Sequence, residues 1–241
     1  MDFIISRSPV LEILCIQANL LMDRLTLVSR SIRCVQLIGA SDLEIVVDEA
    51  PKLERLIIWE SFTRKGPGSH KRVNIGHAPA LSILGYLEPE LHTWLLIKPR
   101  TTATPSTMVP TVKILGLKVR FGVRNEAKIL PCFLRCFPNV ERLHIENFRG
   151  DRCELSFLKF FLENARMLTK LAIVCVNASF SSLAEANAKV KPLFNTKWAS
   201  NCCQLLLFES AFAEGQGLEM QKFERGSDFS VRDPFAVIVR A

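Results

Sequence analysis

The sequence lacks the long apolar segment that a membrane-spanning helix requires. No stretch approaches the roughly 18 uninterrupted apolar residues that such a helix needs. The first residues, Met1 to Arg7, also lack the basic start and the apolar run of a secretory signal peptide. These absences predict an intracellular protein, in the cytoplasm or the nucleus, with no membrane partner.

The sequence also lacks the motifs that mark common catalytic and cofactor sites. It has no G-x-S-x-G nucleophile motif, no phosphate-binding P-loop and no G-x-G-x-x-G dinucleotide motif. The eight cysteines form no C-x-x-C pair, and none is paired with a histidine at zinc spacing. We therefore predict a protein that is not an enzyme and has no catalytic residue, metal or cofactor. The alternative is an enzyme whose active site carries no known motif, and this alternative predicts a deep polar pocket in the structure.

Positive charge is in excess, but it is scattered along the chain. The formal net charge is +7. The densest cluster runs from Arg64 to Arg72 and contains no aromatic residue that could stack on a base. Such a cluster is more typical of a solvated loop between two strands than of a nucleic-acid site. The alternative function is still a basic nucleic-acid-associated protein that uses loop 64–72, with binding that falls steeply as salt rises.

The chain does contain a recurring phrase, in which a proline or alanine precedes a leucine-rich, strand-length apolar run. From Pro51 to Ala165 the copies recur roughly every 28 residues, at the long end of the range of leucine-rich repeats. The strand side chains of one repeat cannot be buried alone, so neighbouring repeats must stack and share a core. The copies begin at Pro9, Pro51, Pro79, Pro138 and Ala165, with Pro110 at the equivalent position between Pro79 and Pro138. The side chains expected inside are Leu53, Leu56, Ile58, Leu81 and Ile83.

The predicted fold is therefore α/β, a leucine-rich-repeat solenoid of stacked short parallel strands with irregular or helical return segments. The C-terminal part changes to helical spacing, with helices predicted at about 126–136, 152–168 and 182–190. Strands are predicted at 170–176 and 203–208, and a last short strand at 228–231. We place a soft boundary at residue 146, which gives a repeat region 1–146 and a C-terminal domain 147–241.

Two segments carry a resemblance to a known family. Ser156–Leu171, SFLKFFLENARMLTKL, resembles the core of the FBD domain of plant F-box proteins, where a helix ending in FLxNAxxLxKL leads into a strand. The segments CFPNVERL at 136–143 and APKLERL at 50–56 look like the leucine-rich repeats of that family, and 119–125 and 226–231 look like its grass branch. The resemblance implies an FBD-like helix–strand cap on the solenoid. It also implies a protein-interaction module, the substrate-recognition part of a cullin–RING ubiquitin ligase.

One departure from the family bears on the partners. Members usually begin with an F-box, a helical segment that docks on a Skp-type adaptor, and no such segment precedes Pro9. Its absence argues against adaptor binding and leaves an unidentified target protein as the expected partner. An open first repeat also predicts an aggregation-prone chain, which a sharp, monodisperse and cooperative unfolding profile would contradict.

The predicted contact residues are strand positions expected to face outward on the concave sheet. The alternative for each of them is an ordinary solvated strand face. Asn164 is predicted instead to be structural, because a polar side chain at a helix end can satisfy a free carbonyl. The candidate protein-binding residues are Glu54, Arg55, Glu141, Arg142, His144 and Lys170.

Overall fold

The computed structural model shows a solenoid with two parallel sheets. It describes residues 5, 7–17, 23–38, 43–59, 72–87, 95–97, 108–118, 135–176, 179–209 and 220–236. Within these residues, eight strands form sheet A in the order β1-β3-β5-β7-β9-β10-β11-β12, and four form sheet B in the order β2-β4-β6-β8. Every described pairing is parallel. The predicted leucine-rich-repeat solenoid is confirmed.

Successive repeats contribute one strand each to sheet A, and the return segments change along the chain. In the first four repeats the return segment carries a strand of sheet B, whereas helices take its place after β10. The strands are β1 Ile13–Gln17, β2 Arg24–Val28, β3 Cys34–Ile38, β4 Glu44–Glu49, β5 Arg55–Ile58, β6 Arg72–His77, β7 Ile83–Leu87, β8 Leu95–Ile97, β9 Ile114–Lys118, β10 Arg142–Phe148, β11 Lys170–Cys175 and β12 Gln204–Glu209. The helices are α1 Arg152–Asn164, α2 Leu183–Val190, a 3₁₀ helix Lys191–Asn195 and α3 Met220–Ser227.

The main core lies between sheet A and the return segments. Because side chains alternate along a strand, the second residue of each sheet A strand points into this core. The strands of sheet B and one face of α1 close it from the other side. The second-residue row runs Leu14, Val35, Leu56, Leu84, Leu115, Leu143, Leu171 and Leu205.

The opposite face of sheet A is also apolar in the middle of the solenoid. Strands β5, β7 and β9 are buried at every position. Ile57, Ile83, Ile114, Trp59 and Tyr86 form a second apolar cluster that is separate from the main core. A parallel strand that is apolar on both faces requires a cover on both faces. Some part of the chain must therefore lie over this side of the sheet.

Most of the predicted elements are present, with specific differences. Leu53, Leu56, Ile58 and Leu81 lie in the main core, but Ile83 belongs to the second cluster, so its predicted inward orientation was wrong. The helix predicted over 152–168 ends at Asn164, whose side-chain amide donates to the carbonyl of Phe160 at 2.7 Å, as its structural role predicts.

Other expectations fail or stay untested. Residues 228–231 form turns and not a strand, and β2, β8 and α3 were not predicted. The predicted helix at 126–136 lies almost entirely outside the described residues. Residue 146 lies inside β10, so sheet A continues through the expected domain boundary, and the division at that residue stays a prediction. Among the described residues, no helix is long and apolar enough to cross a membrane.

Helix α1 begins beside a buried carboxylate. Glu154 is 1% exposed, and its Oε2 accepts backbone hydrogen bonds from Arg149 at 2.9 Å and Asp151 at 3.0 Å. Burial raises the pKa of Glu154 to about 7, although these hydrogen bonds oppose the shift. Because the folded state holds this proton more tightly than the unfolded chain, stability should fall as pH rises from the ordinary pKa of 4.5 to about 7.

The substitution Glu154→Gln is expected to flatten this pH dependence. The Gln amide oxygen can still accept both backbone hydrogen bonds, but no charge develops as pH rises. Between pH 5 and 8 the wild type should lose on the order of 2 kcal/mol more stability than Glu154→Gln. Urea unfolding of both proteins across this range measures the difference, and parallel stability curves would contradict the assignment.

Candidate functional site

The outward face of sheet A is covered by the C-terminal end of the chain. Residues 220–236, which we call the strap, begin with helix α3 against β3. They then continue without regular structure across β5, β7 and β9 to β10. Among the strap residues whose burial the structure describes, 223–236, only Gly226, Asp233, Pro234 and Phe235 are buried. The strap is therefore held at a few anchor points and adds no strand to the sheet.

The first anchor is the guanidinium of Arg55, on the first residue of β5. Its Nη1 donates to the carbonyls of Gly226 at 3.0 Å and Asp228 at 2.9 Å, and its Nη2 donates to the carbonyl of Val231 at 2.9 Å. These include carbonyls at the end of α3, where a helix has free acceptors and a partial negative charge. Burial lowers the pKa of Arg55, an effect that nearby acidic groups oppose. The side chain is 4% exposed, so these carbonyls replace its water.

The second anchor is Gln36, in the middle of β3. Its amide nitrogen donates to the carbonyl of Phe223 at 3.0 Å, and its amide oxygen accepts from the indole nitrogen of Trp59 at 2.7 Å. Gly226 lies so close that a Cβ there would collide with the Gln36 amide. The thiol of Cys34 donates to the Gly226 carbonyl at 3.4 Å. The end of helix α3 is thus fixed against β3 by side chains of the sheet.

The third anchor is a carboxylate between two basic groups. Asp233 Oδ2 lies 3.2 Å from Arg142 Nη1 and 3.1 Å from His144 Nε2, both on β10. Burial alone would raise the pKa of Asp233. The hydrogen bond and charge of His144 outweigh it, together with those of Arg142, and leave the pKa below its usual value. The carboxylate therefore stays ionised at neutral pH, between the strap and β10.

The fourth anchor is the phenyl ring of Phe235, which is 5% exposed. Its centroid lies 4.8 Å from that of Tyr86, 6.2 Å from Trp59 and 5.6 Å from His144, distances at which aromatic rings attract one another. Room for the ring depends on Gly85, where a Cβ would lie 2.9 Å from Phe235 Cζ. The second apolar cluster is therefore a binding pocket for one aromatic side chain.

Because of the close approach at Gly226, Gly226→Ala is expected to loosen the strap. The new methyl group must displace the Gln36 amide, which is held by Trp59 and Phe223, and overpacking of this kind costs about 1–3 kcal/mol. Because the strap then leaves the sheet more often, trypsin should cleave the folded protein after Arg225 faster than it cleaves the wild type. Glu224→Ala, at an exposed position of the same helix, serves as the matched control and should change the rate little. Equal rates for both variants would contradict the contact.

The predicted contact residues fall into two groups in the structure. Arg55, Arg142 and His144 point outward as expected, but the expectation of a solvent-facing side chain is wrong for Arg55 and His144. His144 is 2% exposed, and both residues are buried under the strap. Lys170 is partly buried on β11, in the same outward row as Arg55 and Arg142. Whether any of these residues binds a target stays a prediction.

Glu54 and Glu141 form the other group, at the rim of sheet A immediately before β5 and β10. Glu54 pairs with Arg33 at 2.7 Å, and Glu141 pairs with Lys113 at 2.9 Å. Exposed pairs of this kind contribute little to stability. They leave the rim with acidic and basic groups that neutralise each other.

Sequence reasoning did not identify Gln36, Trp59, Tyr86 or residues 220–236 as parts of this site. One signal for a covered outer face was available. Apart from Arg55 at the start of β5 and Lys118 at the end of β9, strands β5, β7 and β9 contain no charged residue and do not alternate between apolar and polar residues, which is typical of strands buried on both sides. No such signal marked residues 220–236, because most of their side chains are polar or exposed.

This arrangement can bind polypeptide. It offers a guanidinium for backbone carbonyls, a basic pair for a carboxylate and an aromatic pocket, all on the outward face of the sheet. The described residues contain no group of acidic, histidine or cysteine side chains that could hold a metal. The predicted basic loop 64–72 lies outside the described residues except for Arg72, which begins β6.

Comparison with known families agrees with this architecture. Residues 1–145 match the family model described as "FBD-associated F-box protein At5g56370, LRR repeats", and residues 129–173 match the FBD model. No curated protein and no solved structure shows a significant match to the chain. The first model covers more than half of the chain, and its repeats coincide with strands β1 to β9 and the start of β10. The chain therefore belongs to the family of FBD-associated F-box proteins with leucine-rich repeats.

Proposed function

We propose that this chain is the target-recognition part of a ubiquitin-ligase receptor and that it holds its target on the outward face of sheet A. It acts without catalysis of its own. The observation that carries the proposal is the set of side chains on that face, where cationic, amide and aromatic groups all contact one polypeptide segment, the strap. Leucine-rich repeats and FBD domains are interaction modules, and solenoids use extended concave surfaces to bind partners.

The ligase role requires a connection to a Skp-type adaptor, which the family makes through its F-box. We propose that residues 1–241 do not bind the adaptor themselves and that an F-box supplied in the same polypeptide makes the connection. Grafting an F-box segment ahead of Met1 therefore tests the role. In plant cells the grafted chain should lower the level of the target protein, and a proteasome inhibitor should restore it.

A matched pair of surface variants links this effect to the proposed face. Lys170→Glu reverses a charge on the outward face of β11, whereas Lys159→Glu reverses one on the exposed side of α1. We expect target depletion to fall several-fold for Lys170→Glu and to be retained for Lys159→Glu. A grafted chain that binds the adaptor but changes the level of no protein would overturn the proposal.

A further inference from the structure

We propose that the strap occupies the target site as a built-in competitor, and that the target segment carries an acidic residue two positions before an aromatic residue. This inference rests on the proposed function, because it names the kind of partner that the outward face binds. In the strap the two positions are Asp233 and Phe235. The target takes the same contacts once the strap has left the face.

The strap is attached in the way that a bound peptide is attached. Its backbone carbonyls are held by side chains of the sheet, namely Arg55, Gln36 and Cys34, and not by a ladder of strand hydrogen bonds. Peptide and protein interfaces concentrate their binding energy in a few buried anchors surrounded by near-neutral contacts. The strap shows the same distribution, with Asp233 and Phe235 buried and Asp228, Ser230 and Arg232 exposed.

The strap is also separable from the core that holds the repeats together. Among the strap residues whose side chains the structure describes, 223–236, none belongs to the main core cluster, and Phe235 lies in the small cluster on the outward face, against which Phe223 also packs. The stacked repeats therefore keep their buried leucine rows when the strap leaves. Segments with few buried contacts open locally at a fraction of the global unfolding free energy, so a competing segment can displace this one.

The strap is partly preorganised for its bound shape. Arg225 donates to the carbonyls of Asp233 at 3.3 Å and Ala236 at 3.0 Å, and these bonds join the two ends of the segment. Asp233 Oδ1 accepts from the backbone nitrogen of Phe235 at 3.2 Å, which fixes the distance between carboxylate and ring. Preorganisation lowers the entropy cost of docking. A peptide of the same sequence is therefore a suitable probe of the face.

The charge and shape of the face select this partner chemistry. Arg142 and His144 sit beside one carboxylate, and Arg33 lies 3.9 Å from the ring centroid of Phe229. The pocket that Gly85 leaves open accepts one flat ring between Trp59 and Tyr86. A segment with a basic residue in place of Asp233, or a small one in place of Phe235, would leave these groups unpaired.

The test uses the full chain and a fluorescein-labelled peptide with the sequence of residues 220–236. In the variant Asp233→Asn/Phe235→Ala, which we call the opened variant, the strap loses two anchors while every residue of the sheet is unchanged. We expect this variant to bind the peptide at least ten times more tightly than the wild type, since a tethered competitor acts at high effective concentration. Arg232→Gln, at an exposed strap position, is the matched control and should behave as the wild type.

Two further controls locate the binding on the outward face. A peptide with the same two substitutions should lose at least tenfold in affinity for the opened variant. Adding Arg142→Ala to the opened variant should weaken binding of the unaltered peptide about tenfold, because it removes a charged hydrogen bond. Equal binding to the wild type and the opened variant, or binding to neither, would overturn the inference.

Hydrogen exchange of the wild-type protein provides a second measurement that needs no variant. Backbone amides of the strap should exchange at least ten times faster than those of Leu115 and Leu117 in β9, because the strap opens without global unfolding. Exchange at the same rate would make the strap part of the cooperative core and overturn the inference. An opened variant that fails to fold would also overturn the inference, because it would show that the repeats need the strap in order to fold.

The outcomes separate this inference from the proposed function. If the peptide does not bind the opened variant but the F-box graft still depletes a target, the receptor role stands and the strap is only a structural cover. If the peptide binds and the graft depletes nothing, the chain has a peptide-binding face without the ligase role.

Discussion

Phe235→Ala should release the strap from sheet A and raise the population of open molecules about a hundredfold. The ring is the one large apolar side chain of the strap that the structure describes as buried, and it packs between Tyr86 and Trp59. Removing a buried phenyl ring costs about 3–5 kcal/mol. Even a loss of about 3 kcal/mol in docking energy changes the equilibrium by roughly two orders of magnitude.

Hydrogen exchange and trypsin cleavage after Arg225 and Arg232 measure this opening directly. Phe194→Ala makes the same chemical change at a side chain that is 56% exposed, in the 3₁₀ helix away from the strap, and it is expected to cost less than about 1 kcal/mol. Strap protection that is unchanged in Phe235→Ala, or lost equally in Phe194→Ala, would show that the aromatic pocket does not hold the strap.

Replacing Arg55 should have an effect of similar size for a different physical reason. Arg55→Ala removes the donor for the carbonyls of Gly226, Asp228 and Val231 in a buried place. A hydrogen bond from a charged group contributes about 1.5–3 kcal/mol, and bonds that share one donor group are not additive. We therefore expect a total loss of about 3 kcal/mol, observed in urea unfolding or as faster exchange of strap amides.

The conservative variant Arg55→Lys separates charge from geometry. An ammonium keeps the positive charge, but it lacks the planar fork that reaches carbonyls from two nitrogens. We expect Arg55→Lys to lose about 2 kcal/mol. Arg24→Ala removes an exposed arginine that pairs with the Glu44 carboxylate at 3.7 Å, and it should cost less than about 1 kcal/mol. Wild-type stability in Arg55→Lys would mean that charge alone holds the strap.

Arg55 and His144 show what the sequence could predict about the site and what it could not. Arg55 was identified as an outward-facing residue from its place in a repeat, and that orientation is correct. Its role could not be identified, because its partners lie more than 170 residues later in the chain, at Gly226, Asp228 and Val231. His144 was likewise placed on the outward side of its strand, and only the fold shows that Asp233 covers it.

Secondary-structure elements that depend on local contacts were predicted correctly, and one segment that depends on a distant contact was not. Helix α2 lies within the predicted helix 182–190, for which Ser181 and Ser182 were both candidate caps; the Ser182 hydroxyl caps it by accepting from the backbone nitrogen of Glu185 at 3.3 Å. Strand β11 starts at Lys170 as predicted. Both depend on neighbours within a few residues or within one repeat. Residues 228–231 were predicted as a last short strand, yet they form a turn in which the backbone nitrogen of Val231 donates to the carbonyl of Asp228 at 3.1 Å. The carbonyls of Asp228 and Val231 accept from Arg55 and not from another strand.

The sequence by itself determined the repeats, their parallel stacking and the apolar row that each strand turns inward. It could do so because each row residue is buried against the equivalent residue of the next repeat, 21 to 34 positions away, and the pattern therefore repeats in the sequence. Only the tertiary structure decided what covers the outer face. The strap meets β3 where Gly226 contacts Cys34, 192 positions earlier in the chain. Across the rest of the sheet it is held through backbone carbonyls, one carboxylate and one phenyl ring, and backbone groups carry no sequence signature.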